Sequence, residues 1–346
     1  MKKSVSLLLA LCLLLSLWSC GARPTESVPS ETTQTLTASE GTPLERLIGY
    51  LFSSEGAKDL PGLYRALAEN AGTSFPDWVA LALARTGRTE GMEIYRAALR
   101  ENVVTRYKNE DKLSRNLATE WHRIGLCLLA LGDDPRNVEG IDLAADGVWD
   151  RGKVSPLTSQ GCNGVAWALT FLGAGGYAVP EGAAQSKEEL IRLLLEAQHE
   201  DGGWVFGNFD SDADTTAMAL TGLSRFRGEP GVDEAIEKGL NLLSRRQLED
   251  GGFESFGSKN PMSISQVILA LTALELDPAT DPRFQKEGGD PVDALLAYQL
   301  KDGSFPAKAG DTKAGGIANY QAFLALAALE LAGKGQHLFG RTEVRG

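Results

Sequence analysis

QHEDGGW (Gln198 to Trp204), QLEDGGF (Gln247 to Phe253) and QLKDGSF (Gln299 to Phe305) are one pattern written three times, at intervals of 49 and 52 residues. A period of this size is the mark of a repeat architecture, in which no single unit buries its own apolar face. Each copy ends one helical stretch and precedes another. Asp can hydrogen-bond its own turn while Gly supplies a positive φ after the helix stops. The Gln can cap open carbonyls, and Trp204, Phe253 and Phe305 can cover the turn. These residues are expected to build the frame.

Between the turns, apolar residues recur at helical spacing and alternation of the kind expected for strands is nearly absent. Six stretches share an Ala-Leu core: VALALARTG from Val79, IGLCLLALGDDP from Ile124, GVAWALTFLG from Gly164, TAMALTGL from Thr216, QVILALTAL from Gln266 and QAFLALAAL from Gln321. Charged, amphipathic helices are expected at 44–52, 60–71, 89–107, 138–149, 186–198, 232–247 and 290–299, with one face toward water. Six small-residue helices inside a ring of half-exposed ones make an all-α, (α/α)6 toroid.

The ends are different in kind. Lys2 and Lys3, an apolar run from Ser4 to Trp18, then Ser19 and Cys20 read as a secretory signal with a lipobox-like end, with Cys20 the lipidated residue. Residues 21–42 carry Pro, Ser, Thr and Glu and few large apolar groups, so they read as a tether. The expected organisation is a signal peptide at 1–19, a lipid-anchored linker at 20–42, a toroid at 43–335 and a tail at 336–346. This places the protein in the bacterial cell envelope, outside the cytoplasm, on the membrane through its lipid alone. Loss of Lys2 and Lys3 takes the formal net charge from −12 to −14, a surface that repels nucleic acid. Cys127 and Cys162 remain, as a disulfide or as two buried thiols.

The three turns resemble the repeat of terpenoid cyclases and protein prenyltransferases. SDADTTAMAL (Ser211 to Leu220), with SISQVILALTAL, DWVALALARTG and GDDPRNVEG, is more similar to bacterial surface proteins with these repeats, related to cobalamin-binding intrinsic factor and transcobalamin. The resemblance spans roughly residues 42–333 and implies the toroid. The prenyltransferase branch would imply zinc on Asp, Cys and His, but His122, His199 and His337 do not stand at ligand-like spacing from Cys127 or Cys162, although His122 and Cys127 share a helix. No metal or cofactor is expected. The class II cyclase branch implies a general acid at the middle Asp of D-x-D-D. Here the motif reads Asp212, Ala213, Asp214, Thr215, so Asp214 takes that place with Asp212 beside it. Such an acid must be protonated at rest, and the expected aromatic wall is Trp121, Trp167, Phe171 and Tyr320. Two structural alternatives stay open: helix capping by Asp212 or Asp214, and calcium at FDSDAD. For calcium, Thr215 and Thr221 stand where an EF-hand loop needs Gly and Glu.

Placing the Ala-Leu cores in register brings His122, Arg123, Asn163, Asp214, Thr215, Ser265, Gln266, Asn319, Tyr320 and Gln321 to one mouth of the ring. Bland helices that turn polar at the same end suggest a concave hydrogen-bonding site, or capping and solvation of helix ends. The intrinsic-factor-like resemblance implies that this mouth faces the ligand, with Asp214 and Thr215 matching its D-T-x-A-M-A motif. The resulting expectation is a binding protein for a small molecule, polymer or peptide, a corrinoid being one candidate. A cyclase-like enzyme using Asp214 and a scaffold for another surface protein are the alternatives.

Overall fold

The inner helices form over long runs of small and branched apolar residues, and in two of them a side chain, Asp212 or Asn260, caps the start. In α3 (Ser74–Arg85), α5 (Ala118–Ala130), α6 (Gly161–Gly175), α8 (Ala213–Leu223), α10 (Pro261–Ala273) and α12 (Gly316–Ala332), most residues are buried whichever way they face. In α10 every side chain from Ser263 to Thr272 is buried. A helix without a wet face must have neighbours on all sides. The computed structural model, which describes residues 41–109, 113–114, 116–151, 155–207, 209–255 and 257–340, supplies them. Each inner helix packs on the next, in the order α3, α5, α6, α8, α10, α12, and α12 returns to α3. The six close a ring, the terpenoid cyclase-like (α/α)6 toroid. The expected signal peptide at 1–19, Cys20 and most of the linker lie outside the described residues.

The outer layer sits where amphipathic faces were expected. Helix α1 (Pro43–Ser54) covers α12, α2 (Leu60–Ala68) and α4 (Met92–Asn109) cover α3, α7 (Lys187–Glu196) covers α6, α9 (Val232–Arg246) covers α8, and α11 (Pro291–Leu296) covers α10. The helix expected at 138–149 is the exception. Only 143–149 is helical, and most of it, Ala145–Trp149, is one π turn against α5. Upstream, Glu139 and Gly140 take positive φ values, and Val138 pairs with Ile141 in an isolated bridge. An α-helix cannot run through such a turn. A hairpin of two-residue strands, β1 (Glu254–Ser255) and β2 (Ser258–Lys259), precedes α10.

The repeated turns are joints between neighbouring outer elements. Gln198 Nε2 donates to Gly202 O in its own turn and to Ala235 O of α9 (2.8 and 2.9 Å). Gln247 Nε2 donates likewise to Gly251 O and Phe284 O (3.0 and 2.9 Å). Gln299 Nε2 donates to Gly303 O and, across the whole sequence, to Pro43 O of α1 (3.0 and 2.8 Å). Asp201, Asp250 and Asp302 each accept from the backbone two residues on. Gly251 and Gly303 are required twice over: their φ values are 80° and 91°, and a Cβ would strike the carbonyls of Asp290 and Arg46. The third copy therefore fastens the last repeat to the first helix.

Candidate functional site

Because each inner helix is reached through outer structure, all six run the same way and their first turns share one end of the ring. At that end the burial pattern of the inner helices is broken at helical spacing. Asn163 and Trp167 in α6, Asp214 and Met218 in α8, Arg123 in α5 and Tyr320 and Gln321 in α12 keep partial solvent contact between fully buried neighbours. These positions mark the wet side of the ring, its lumen. Exposed Leu117, Phe206, Phe209 and Ile317 stand just before or at the start of α5, α8 and α12, an apolar rim.

Asp212 and Asp214 do different things. Asp212 is the N-cap of α8: its Oδ1 accepts from Thr215 N (2.8 Å) and its Oδ2 from Thr215 Oγ1 (2.9 Å). Thr215 is thereby turned into the cap and buried. Asp214, in the first turn, has an Oδ1 that is buried and without a hydrogen-bond partner. Burial pushes its carboxyl above the usual range and the Asp212 charge adds to this, while the Ser263 and Ser255 hydroxyls pull the other way. The Asn163 Oδ1 and Gln321 Oε1 are also buried without a donor. Three acceptors at one end of a lumen, each lacking a partner among the described residues, are a demand for donors.

Arg123 is anchored rather than free. Its guanidinium donates to Asp77 Oδ2 (2.8 Å), Ser74 Oγ (3.2 Å) and Gly72 O (2.7 Å), and Asp77 also accepts from Tyr95 Oη (2.6 Å) and Gly72 N (3.0 Å). The charge still reaches Tyr320: burial raises the phenol's pKa, and Gln321 and Arg123 oppose the rise. Arg123, Tyr320 and Gln321 thus form one neighbourhood, while Asp214, Ser255 and Ser263 form another.

The remaining expected mouth residues are engaged elsewhere. His122 is fully buried, its Nε2 2.8 Å from Gly147 O, beside Phe171. Burial drives its pKa down to about 3, so the ring is neutral. Ser265 Oγ donates back to Pro261 O (2.7 Å) within α10, and Gln266 is buried. Asn319 Oδ1 accepts from Phe305 N (2.7 Å), as Thr216 Oγ1 does from Trp204 N (3.0 Å), so both hold the repeated turns. Cys127 and Cys162 are separate buried thiols, with burial pushing Cys162 up to about 11 and Cys127 up as well. Among the described residues, no three His, Cys, Asp or Glu side chains gather as metal ligands.

The aromatic wall differs from the expected one. Trp121 is buried away from the lumen, under the Arg151 guanidinium and donating to Tyr107 Oη (2.9 Å), and Phe171 fills the space over Gly125 in α5. In their place stands Trp78 of α3, whose ring centroid lies 5.3 Å from that of Trp167 in α6. Helices α3 and α6 are not neighbours, so these rings meet across the inside of the ring. Phe339, from beyond the last helix, packs edge-on against both, at 6.1 and 5.7 Å. Trp78 was readable as an inner-helix aromatic within DWVALALARTG; nothing local in the tail sequence marks Phe339.

No family model matches the chain. Among curated proteins it is 34% identical over 115 residues to a drimenyl diphosphate synthase of Streptantibioticus cattleyicolor, covering 32% of this chain and 20% of that protein. It is 35% identical over 89 residues to a squalene–hopene cyclase of Zymomonas mobilis, covering 26% and 13%. The chain thus spans a small part of these relatives. Among solved structures, a type II terpene cyclase from Scytonema superposes with a TM-score of 0.52 at 14% identity over 84% of this chain and 99% of that one. A protein from Actinoplanes gives 0.50 at 17% identity over 75% and 89%. The chain is a terpenoid cyclase-like toroid.

Proposed function

We propose that this chain is a lipid-anchored, extracytoplasmic binding protein that holds a ligand at the N-terminal mouth of its toroid without changing it. The observation that carries this reading is the set of buried, donorless oxygens on Asn163, Asp214 and Gln321. An unmet buried acceptor costs about 1–3 kcal/mol, which a ligand presenting N–H or O–H groups would recover. The apolar rim of Leu117, Phe206, Phe209 and Ile317 suits an amphiphile with a donor-rich head. A corrinoid, whose amide side chains are donors, is one candidate; a peptide or polar polymer is another.

One observation favours a second reading, cyclisation with Asp214 as acid. Its carboxyl is held toward the protonated form, and the curated relatives that the chain resembles are a drimenyl diphosphate synthase and a squalene–hopene cyclase. Against it, Leu338 and Phe339 occupy the lumen where a long substrate would fold. The test is calorimetric titration of soluble protein starting after Cys20 with cobalamin and cobinamide, alongside incubation with isoprenoid diphosphates and squalene. Binding without turnover, weakened at least tenfold by Asp214→Ala, is the expected result. Cyclised product that disappears in Asp214→Asn overturns the binding reading. Mass spectrometry of membrane-bound protein should find acyl chains on Cys20; an unmodified N-terminus ends the anchor.

A further inference from the structure

At the C-terminal mouth, 336–340 leaves α12 and turns back into the ring. Leu338 and Phe339 are buried, and share a cavity of only about 20 Å³ with Thr170 of α6, Thr221 of α8 and Leu269 and Thr272 of α10. Three helices of the ring thus surround this pair, and Trp78 and Trp167 close over Phe339 from the far side. The segment bearing them is attached differently from its side chains. It begins after Gly333 and Gly335, the latter at φ 67°. Its backbone bonds run to α12 and to itself: Gly335 to Ala332, Gln336 to Leu331 and Gly340 to His337. Its polar ties to other elements include Arg85 to His337 O (2.5 Å) and the His337–Glu275 pair (3.3 Å), which is ionic only when His337 is protonated. Open space flanks it on both sides, about 340 Å³ bordered by Arg85 and Arg225 and about 550 Å³ bordered by Glu275, Asp277 and Leu329.

We infer that the Leu338–Phe339 pair is a built-in occupant of an aromatic lumen site, and that the segment 336–340 swings on Gly333 and Gly335 to admit an apolar ligand of similar size, an aryl or short branched alkyl group. A plug of two apolar side chains on a glycine hinge, with wet gaps beside its backbone, opens without disturbing any helix. The site it vacates is bounded by Trp78 and Trp167 and by the threonines at 170, 221 and 272. The plug enters from the end opposite the acceptors of the proposed ligand mouth, and Trp167 stands one turn from Asn163 in α6, so the two sites share one lumen and each is tested by its own ligand.

Three measurements on the soluble chain starting after Cys20 decide it. Hydrogen exchange of the amides at 336–340 should be at least 100-fold faster than in the middle of α12; exchange at the same slow rate as α12 overturns the hinge. The double variant Leu338→Ser, Phe339→Ser should keep its helical circular dichroism and take up N-phenyl-1-naphthylamine at least tenfold more tightly than the parent. A variant that loses its cooperative unfolding shows the pair to be ordinary core and overturns the inference, as does a folded variant with no gain in dye uptake. A synthetic peptide of residues 334–340 should displace the dye from the variant, and failure to compete at millimolar concentration argues equally against a plug.

Discussion

Two ionisable side chains near the ends of the inner helices are desolvated with opposite consequences. His122 is buried neutral with a pKa of about 3, below the ordinary 6.5, so its contribution to stability is complete above pH 6.5 and is lost as pH falls toward 3. The slope from this one group is at most about 1.4 kcal/mol per pH unit. His122→Gln, which can still donate to Gly147 O, should flatten urea midpoints across that window, and an unchanged slope would show that His122 is hydrated. Asp214 is displaced upward, so its contribution is complete below the unfolded carboxylate pKa and is lost as pH rises through the folded value. Asp214→Asn is therefore expected to be more stable than the parent at neutral pH and equal to it in acid. A variant less stable at pH 7 would mean that the ionised carboxylate is satisfied within the folded chain. Asp212 behaves as a cap, and Asp212→Ala should cost about 1 kcal/mol.

At the scale of the element, the repeated turns carry the connections between outer helices and ought to fail in a position-dependent way. Gly303→Ala forces an L side chain to φ 91° and into the Arg46 carbonyl; the dihedral alone costs about 1–2 kcal/mol, and the collision adds to it. Gln299→Ala leaves Pro43 O and Gly303 O without their donor, worth about 1–3 kcal/mol, and Arg46 also loses an acceptor. Protease or exchange mapping should find α1 loosened by these two changes but not by Gln198→Ala, which touches α9 instead. The π turn at Ala145–Trp149 shows the limit of periodicity. The apolar pattern of 138–149 fits an outer helix, yet Glu139 and Gly140 need positive φ, and no count of apolar spacing registers that.

For the whole molecule, closure of the ring is the decisive event, since α12 packs on α3 and α1 on α12. Helix α1 buries Leu44, Leu47, Ile48 and Leu51, each worth about 1.5–3 kcal/mol, together comparable with the whole net stability of a domain. A chain beginning at residue 59 should therefore lose the single cooperative transition; coincident unfolding by circular dichroism and Trp fluorescence in that truncation would show that the ring does not need its first helix. The sequence by itself determined the frame: the number of inner helices, their alternation with amphipathic ones, and the Gln-x-x-Asp-Gly joints. The helices follow from helical period and the turns from bonds within a few residues, while the partner each Gln reaches beyond its own turn, such as Pro43 O for Gln299, comes only with the closed ring. The sequence also brought Asn163, Asp214, Tyr320 and Gln321 to one end by register. It could not separate them from His122, Ser265 and Asn319, because which face of a helix looks into the lumen is set by rotation against two neighbours distant in sequence. Nor could it pair Trp78 with Trp167 and Phe339, from two non-adjacent helices and a tail, whose proximity exists only once the ring has closed.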